Sequence, residues 1–225
     1  MIFMKQLLRL LHRNKYELLL FALIQHLFIA IVLIDLDFYS KVIWPINMVI
    51  LGVLSMGIFV EKDKWKNIVQ SLLFILVVLL PIGLPFLGYL PYYFQFLNIT
   101  YVVFFVFIFY EVMKFLIRPS YINSDIISAS ACGYLLLLEI SIFFMQYLFH
   151  LNPNAFKGIN PNSPAETYID LVYFCSITLT SIGFGDITPN AHVSKLATSL
   201  LGIVGQFYLV VLVGILISKF SSKTD

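Results

Sequence analysis

The sequence predicts an all-α membrane protein with six transmembrane helices and one shorter re-entrant helix. The composition and the spacing of the apolar stretches lead to this prediction. Of the 225 residues, 60% are hydrophobic and only 12% are charged. The mean hydropathy of +0.94 lies well outside the range of soluble domains. Because the net charge is only +2, no nucleic-acid partner is expected.

Six apolar stretches are long enough to cross the hydrocarbon core of a bilayer. A spanning helix needs about 20 apolar residues to cover about 30 Å of hydrocarbon. The first stretch is too long for the core of a signal peptide and lacks a small-residue cleavage site, so we expect it in the mature chain. The predicted spans are 16–34, 42–60, 67–90, 98–117, 126–150 and 192–218.

The basic residues in the short loops predict the orientation of these spans, because lysine and arginine accumulate on the cytoplasmic side. If the N-terminus is cytoplasmic, the three residues Lys41, Lys157 and Lys195 lie outside, which leaves 11 of the 14 basic residues inside. The sequence therefore predicts a multi-pass protein of the cell membrane with both termini cytoplasmic.

Between the fifth and sixth spans, residues 164–189 begin and end outside yet contain a strongly apolar stretch. We expect this segment to enter the membrane and return, which requires protein or water to satisfy its backbone. Two signals for a helix start compete there: the capping box at residues 163–166, with proline at the first helical position, and the pair Thr167 and Asp170. We favour a helix from Thr167 to Thr180, because that length reaches mid-membrane and no further.

The five residues after this helix, Ser181-Ile182-Gly183-Phe184-Gly185, place glycines at alternate positions. For consecutive carbonyl groups to face one side, successive residues must alternate between right-handed and left-handed backbone conformations. Only glycine adopts the left-handed conformation without steric cost. A row of carbonyl oxygens directed at one axis replaces the water shell of a dehydrated cation. The stretch therefore predicts a strand that coordinates cations.

The run Thr180-Ser181-Ile182-Gly183-Phe184-Gly185-Asp186 resembles the potassium-channel signature T-T-V-G-Y-G-D, and Tyr173-Phe174 resembles the paired aromatic residues of that family's pore helix. The resemblance extends from the fifth span to the end of the chain. It implies a selectivity filter formed by four identical chains around one axis, and K⁺ ions in the filter are the only bound species expected. The implied K⁺ ligands are the hydroxyl and carbonyl of Ser181 and the carbonyls of Ile182, Gly183 and Phe184, with Gly185 completing the filter.

The same resemblance implies residues that support the filter. Asp186 is expected behind the outer mouth, where it raises the local cation concentration. Some family members pair this aspartate with a glutamate, but Ile177 occupies that position here. Asp186 therefore needs another partner, for which the Tyr173 hydroxyl is the candidate. The remaining expected supports are Phe174, Thr178 and Thr180.

Two departures from the family pattern concern the filter directly. Ser181 replaces threonine, which keeps the coordinating hydroxyl and removes a methyl group. Phe184 replaces the common tyrosine, while Phe174 replaces a tryptophan that often binds the tyrosine hydroxyl. Removing both partners of a buried hydrogen bond is nearly neutral, whereas removing one is costly. We therefore interpret Phe174 and Phe184 as a matched pair.

In the sixth span, Gly205 aligns with the inner-helix hinge glycine of many potassium channels. The alternative interpretation is that this glycine allows close helix packing, and the sequence favours neither. Gln206, Val210, Val213 and Ile217 recur at three- or four-residue spacing, so they share one face. We expect this face to line the central cavity, with Val213 and Ile217 as candidates for a hydrophobic constriction.

The sequence also predicts three parts of the chain. Residues 1–15 read as a basic amphipathic helix on the inner leaflet, with Lys5, Arg9 and Arg13 either binding anionic lipid or simply anchoring the topology. Residues 16–117 are expected to form a four-helix transmembrane domain, and residues 118–225 a pore domain containing the pore loop 164–189.

Two further observations bear on this four-helix domain. Its fourth span lacks the regular series of basic residues that a voltage sensor needs, offering Lys114 near its inner end and Arg118 beyond. Glu139, near the middle of the fifth span, needs a partner, because an ionised carboxylate there costs several kcal/mol. Two alternatives stay open. Either Glu139 is neutral and hydrogen-bonded to the pore helix, or it ties the pore domain to the first four spans, where Gln25 and His26 are similarly deep.

Together these features predict a potassium-selective, voltage-insensitive channel that conducts passively. One alternative is a poorly selective Na⁺ and K⁺ channel. Another is a non-conducting membrane sensor or accessory subunit that keeps the pore fold for assembly. We do not expect a transporter, because that would require internal repeats, which the sequence does not show. We expect no enzyme either, because the acidic and histidine residues form no constellation with a nucleophile. The two cysteines, Cys132 and Cys175, show no metal-ligand spacing.

Overall fold

The computed structural model describes residues 11–33, 35–59, 64–117 and 124–221. Lys5, Arg9 and Arg118 lie outside these ranges. Within them, six helices are long and apolar enough to cross a membrane, which confirms the predicted number of spans. The candidate spans are Lys15–Val32, Leu36–Ile58, Lys64–Leu84, Tyr93–Ile117, Asp125–Leu151 and His192–Leu212.

Among the described residues, the regular secondary structure is helical apart from two short strands. The first span contains α1 (Lys15–Phe28) and a 3₁₀ turn (Ile29–Val32), and the second contains α2 (Leu36–Phe38), a π-helical segment (Tyr39–Ile43), α3 (Trp44–Ser55) and a 3₁₀ turn (Met56–Ile58). The third and fourth spans are α4 (Lys64–Leu87) and α5 (Tyr93–Ile117). The elements that follow are α6 (Ser124–Leu151), a 3₁₀ turn (Pro153–Ala155), β1 (Phe156–Lys157), α7 (Pro164–Leu179), β2 (Thr188–Pro189) and α8 (His192–Ser221).

The second span begins six residues earlier than position 42, where the sequence predicted it. Asp35 caps the helix start, because its Oδ1 accepts hydrogen bonds from the amides of Asp37 at 2.9 Å and Phe38 at 3.0 Å. An aspartate in this position satisfies amide groups that have no partner within the helix. The apolar pattern alone did not include this polar first turn.

Helix α4 continues through Pro81 and Pro85. A proline inside a helix leaves the carbonyl four residues before it without its amide partner. The carbonyl freed by Pro81 is that of Val77, and the Tyr101 hydroxyl donates to it at 3.2 Å. The Tyr93 hydroxyl donates to the neighbouring Leu80 carbonyl at 2.5 Å. Tyrosines of α5 therefore supply hydrogen bonds along the proline-containing part of α4, as a helix in lipid requires.

The core of the chain crosses the boundary that the sequence predicted between residues 117 and 118. Helix α6 packs along both α5 and α1 of the same chain. An aromatic cluster joins the two parts: the ring of Phe143 in α6 lies 4.6 Å from that of Tyr101 in α5 and 5.8 Å from that of Tyr168 in α7. Trp44 of α3 stacks on Tyr168 at 5.8 Å. The first four spans therefore share a core with the fifth span and the re-entrant helix α7.

Candidate functional site

Helix α7, the pore helix, begins at Pro164 and not at Thr167, so the favoured prediction of its start is wrong. Ser163 is the N-cap, and its Oγ accepts a hydrogen bond from the Glu166 amide at 3.1 Å. Proline occupies the first helical position, where its missing N–H costs nothing. The competing capping box was the correct signal. The helix ends at Leu179, one residue before the predicted Thr180.

The polar pair that resembled a second helix start has another use. The Thr167 hydroxyl donates to the Asn160 carbonyl at 3.1 Å, and an Asp170 carboxylate oxygen accepts from the Asn160 amide at 2.7 Å. Both side chains therefore hold the loop that precedes the pore helix. Asn160 precedes Thr167 by seven residues and Asp170 by ten. The local pattern of residue types therefore could not show whether these side chains start a helix or hold a loop.

The backbone of the filter strand, residues 181–185, alternates in the way that the glycine spacing predicted. Gly183 and Gly185 have φ angles of +55° and +83°. Ser181 also has a positive φ, of +59°, which the sequence reasoning did not foresee. A non-glycine residue in this conformation costs roughly 1–2 kcal/mol. Every second residue from 181 to 185 is therefore left-handed, although one of the three carries a side chain.

The start of the filter strand is fixed to the end of the pore helix. The Ser181 amide donates to the Thr178 carbonyl at 3.1 Å, and the amides of Ile182 and Gly183 both donate to the Ile177 carbonyl, at 2.8 and 3.2 Å. These bonds satisfy carbonyl groups that a helix end leaves without partners. Thr180 closes the junction, because its Oγ1 donates to the Ser176 carbonyl at 2.7 Å.

In one chain the whole filter strand is open to the surroundings. Residues 180–186 are all exposed, with Ile182 at 56% and Phe184 at 71% of their full accessible surface. An apolar side chain that follows a buried helix gains by leaving water. The apolar side chains of this strand are therefore left without cover within the chain.

At the inner end of the filter, the strand contacts α8. The Gln206 side-chain amide donates to the Ser181 hydroxyl at 2.6 Å. Both residues line a groove that also includes Gly202, Ile203 and Val210. The predicted cavity residues Gln206 and Val210 therefore lie beside the filter. The side chains of Val213 and Ile217 are outside the described part of the chain, so the constriction stays a prediction.

Gly205 packs against the end of the pore helix. A Cβ atom at this position would lie 3.3 Å from the Leu179 carbonyl oxygen and closer still to the Leu179 side chain. The structure thus supports the packing interpretation of this glycine. Its role as a hinge stays a prediction.

The outer mouth contains the contact expected for Asp186. The Tyr173 hydroxyl donates to Asp186 Oδ2 at 2.7 Å. This hydrogen bond lowers the pKa of the Asp186 carboxyl and raises the pKa of the Tyr173 hydroxyl. The ring of Phe184 stacks parallel to that of Tyr173, with centroids 6.5 Å apart. Tyr173 therefore contacts Phe184 of the filter strand through its ring and Asp186 through its hydroxyl.

Phe174 faces a different surface of the pore helix from Tyr173. Its buried ring packs edge to face against Phe156 of β1, with the centroids 5.7 Å apart. Phe174 also lines a pocket together with Gly183 and Gly185. The matching of Phe174 with Phe184 stays a prediction. Thr178 lines a pocket together with Ser181 and Gly183, which places it beside the filter strand.

A small sheet holds the outer loops around the filter, and the sequence reasoning missed it. Strands β1 and β2 pair antiparallel, with Phe156 opposite Pro189. The Ala155 carbonyl accepts from the Asn190 amide at 2.7 Å and from the Ser194 hydroxyl at 2.6 Å. Gly158 has a φ of +87° and lies directly against the Asp186 backbone. Turn residues such as Asn152-Pro153-Asn154 were the available signal.

A buried polar group that includes Glu139 lies on the far side of the pore helix. Tyr168 of the pore helix hydrogen-bonds His26 of α1 at 3.2 Å between Oη and Nε2. A carboxylate oxygen of Glu139 lies 3.8 Å from the same His26 nitrogen. All three side chains are buried. The group lies where α6, α1 and the pore helix meet, but 3.8 Å is too long for a hydrogen bond, and neither carboxylate oxygen of Glu139 has a hydrogen-bond partner among the described residues. The partner of Glu139 therefore stays open.

Comparison with known proteins identifies the family of this site. Residues 133–222 match a family model described as "Ion channel". The chain is also 37% identical over 76 residues to "Potassium channel protein kcv" of Paramecium bursaria Chlorella virus 1, and the match covers 33% of this chain and 79% of the viral protein. The chain belongs to the potassium channel family.

Other relatives share the potassium channel segment within much longer proteins. The chain is 40% identical over 82 residues to "Two-pore potassium channel 3" of Arabidopsis thaliana, which covers 36% of this chain and 18% of the relative. It is 31% identical over 103 residues to human "Potassium voltage-gated channel subfamily KQT member 4", which covers 46% of this chain and 13% of the relative. The chain thus spans a small part of both. No solved structure matches it.

Proposed function

We propose that this chain forms a potassium-selective channel that conducts K⁺ passively across the cell membrane. The observation that carries the proposal is the alternation of positive φ at Ser181, Gly183 and Gly185 directly after the end of a re-entrant helix. This alternation lets consecutive carbonyls face one side, where they replace the hydration shell of K⁺. The proposed ligands are the oxygen atoms of Ser181, Ile182, Gly183 and Phe184.

Four copies around one axis would complete the filter. The apolar window of α6 is 67% buried within the chain, whereas that of α8 is only 17% buried. Both helices contact the pore helix, so contact with the pore helix does not explain the difference in buried fraction. The exposed face of α8 and the exposed filter strand are on the side that other copies would cover. A symmetric tetramer would also direct four pore-helix carboxyl ends, with their negative dipoles, at a central cavity.

We further propose that the channel is voltage-insensitive. In α5, Lys114 is exposed near the inner end of the helix. The neighbouring Glu111 is buried and forms an ion pair with Lys66 of α4. Glu111 and Lys66 thus offset each other, and α5 offers no series of basic residues that a membrane potential would displace.

The proposed topology places both termini in the cytoplasm, as the distribution of basic residues favours. Arg13 is exposed, while Leu11 is buried beside the 3₁₀ turn at the end of the second span. This arrangement supports a segment that lies along the inner face of the membrane domain. We propose that Lys5, Arg9 and Arg13 contact anionic lipid there.

The decisive test is the reversal potential of the purified protein in a planar bilayer, with K⁺ on one side and Na⁺ on the other. A value near the potassium equilibrium potential is the expected result. A value near zero would instead indicate a non-selective cation pore. A tetramer that carries no current in any ionic gradient would indicate a sensor or accessory subunit that keeps the pore fold.

A further inference from the structure

The contact between α8 and the filter joins two side chains that the family signature does not link. Gln206 Nε2 lies 2.6 Å from Ser181 Oγ. Ser181 is the first residue of the filter strand, and Gln206 faces the groove below it. Hence an amide of the inner helix directly contacts the hydroxyl that would bind the innermost ion.

Ser181 needs a contact of this kind because its own backbone does not fix its hydroxyl. Its φ of +59° is an unfavourable conformation for a residue with a side chain. The amide is held by the Thr178 carbonyl at 3.1 Å, but the hydroxyl is free to choose among staggered rotamers. A donor from outside the strand selects one rotamer.

The hydrogen-bond capacity of serine suits this arrangement. A hydroxyl offers two lone pairs and one proton. Gln206 occupies one lone pair of Ser181, which leaves the second for a cation.

Gly205 explains why Gln206 reaches the filter. Because Gly205 has no Cβ, α8 approaches the Leu179 backbone at the end of the pore helix. The next residue of α8 is then close to the first residue of the filter strand. Glycine and glutamine in sequence therefore act together, one allowing the approach and the other making the bond.

We propose that Gln206 is a positioning residue for the innermost cation site and sets how tightly that site holds a dehydrated cation arriving from the cavity. The proposal rests on the proposed channel function, because it assigns a role within the same filter. It makes the pair of Gln206 and Ser181 the determinant of sensitivity to divalent cations applied from the cytoplasmic side.

Ba²⁺ is the probe, since it is close in size to K⁺ and its double charge strengthens binding to the same oxygen ligands. Block by internal Ba²⁺ is measured for the wild type, Gln206→Leu, Ser181→Ala and the double variant. Losing one hydrogen bond should weaken Ba²⁺ binding about 3- to 10-fold in Gln206→Leu. In the Ser181→Ala background, the same change should alter Ba²⁺ affinity by less than about twofold, because its target is absent.

Ser199→Ala is the matched control. Ser199 lies in α8 two helical turns before Gln206, and its hydroxyl donates to the Lys195 carbonyl at 2.9 Å. This variant removes a polar group from the same helix without touching Ser181. Its Ba²⁺ affinity should equal that of the wild type.

Calorimetric titration of Ba²⁺ into the purified tetramers measures the Ba²⁺ affinity of the wild type, both single variants and the double variant without recording current. A variant that does not conduct is therefore still informative. An equal loss of Ba²⁺ affinity in both backgrounds would overturn the proposal, because Gln206 would then act through the cavity and not through Ser181. An unchanged affinity in Gln206→Leu would overturn it as well. A wild type that binds Ba²⁺ with the expected coupling but passes no K⁺ would refute the channel function and leave the positioning role intact.

Discussion

The two sides of the pore helix are built in opposite ways. On the side facing α1 and α6, the polar groups of His26, Glu139 and Tyr168 meet within one chain and are buried. On the other side, the filter strand is fully exposed, and an apolar residue such as Phe184 has most of its surface open. The first side is therefore buried within a single chain, whereas the second is open, as the proposed assembly of four copies would require. Burial thus separates the groups that hold the fold from those that form the proposed pore.

The largest effect is expected from Gly183→Ala, on the side of the pore helix that carries the filter strand. The chain leaves empty space where the new Cβ would lie, so the cost comes from the φ of +55°. An alanine in this left-handed conformation costs roughly 1–2 kcal/mol per chain, so the filter formed by four chains would be destabilised by about 4–8 kcal/mol. K⁺ flux into liposomes should fall about 1000-fold or more, since each 1.4 kcal/mol is about tenfold. Ile182→Val is the control, and it should conduct. Normal flux in a folded Gly183→Ala tetramer would refute the filter assignment.

Gly205→Ala should disturb the junction between the two sides. The added methyl group would collide with Leu179, and such overpacking costs about 1–3 kcal/mol. We expect a lower thermal midpoint for the detergent-solubilised tetramer. Gly202→Ala, where the chain leaves open space in the same helix, should instead be neutral or slightly stabilising. If the two variants melt alike, Gly205 is not a packing residue.

On the side of the pore helix that faces α1 and α6, Tyr168→Phe should lower the free energy of unfolding by about 1–3 kcal/mol, because it leaves His26 without its hydroxyl partner. The effect is measured by chemical unfolding in detergent. Tyr134→Phe provides the comparison, since the Tyr134 hydroxyl is buried and has no hydrogen-bond partner among the described residues. That variant should be neutral or stabilising. Equal destabilisation by both would show that the contact with His26 contributes nothing.

The outer mouth should show a pH dependence set by Tyr173 and Asp186. The hydrogen bond lowers the pKa of Asp186, so its stabilising effect is present above the ordinary aspartate value of about 3.9 and lost as pH falls through the lowered pKa. The raised pKa of Tyr173 keeps its contribution up to about pH 10, with loss above that. Tetramer stability against external pH should therefore be flat between about pH 4 and 10.

Tyr173→Phe removes the donor to Asp186. It should flatten the acid limb of this profile, because the pKa of Asp186 in the folded tetramer then lies closer to its unfolded value. Tyr89→Phe is the control, because Tyr89 is highly exposed in the loop after α4. An unchanged acid limb in Tyr173→Phe would mean that the contact does not stabilise the outer mouth.

The smallest expected effect is that of membrane voltage on channel opening. Glu111 is paired with Lys66, and α5 offers no series of basic residues that the membrane potential would displace. Current should therefore follow the driving force without steep activation. A conductance curve recorded in symmetrical K⁺ should be nearly flat with voltage. A sigmoidal curve equivalent to several gating charges would show that the first four spans contain a sensor.

The sequence predicted those features that depend on local pattern. The six spans followed from apolar length, and the positive φ of Gly183 and Gly185 followed from glycine spacing. The pore-helix start was wrong because Thr167 and Asp170 bind Asn160, a contact that only the folded loop creates.

Other site features could not be predicted because they join distant residues. The bond from Gln206 to Ser181 links positions 25 residues apart, and that from Tyr168 to His26 links positions 142 apart. The left-handed backbone of Ser181 is likewise held by neighbours, in a conformation that serine would not choose alone. Sequence periodicity carries no information about such pairings.

The tyrosines that serve the proline-containing helix α4 determine how the peripheral spans could move. Sliding α4 along α5 by one turn would take the Val77 and Leu80 carbonyls away from Tyr101 and Tyr93. The Val77 carbonyl, which has no amide partner in the helix because of Pro81, would then face hydrocarbon unpaired, at a cost of several kcal/mol. Helices α4 and α5 are thus expected to shift together as one body beside the pore.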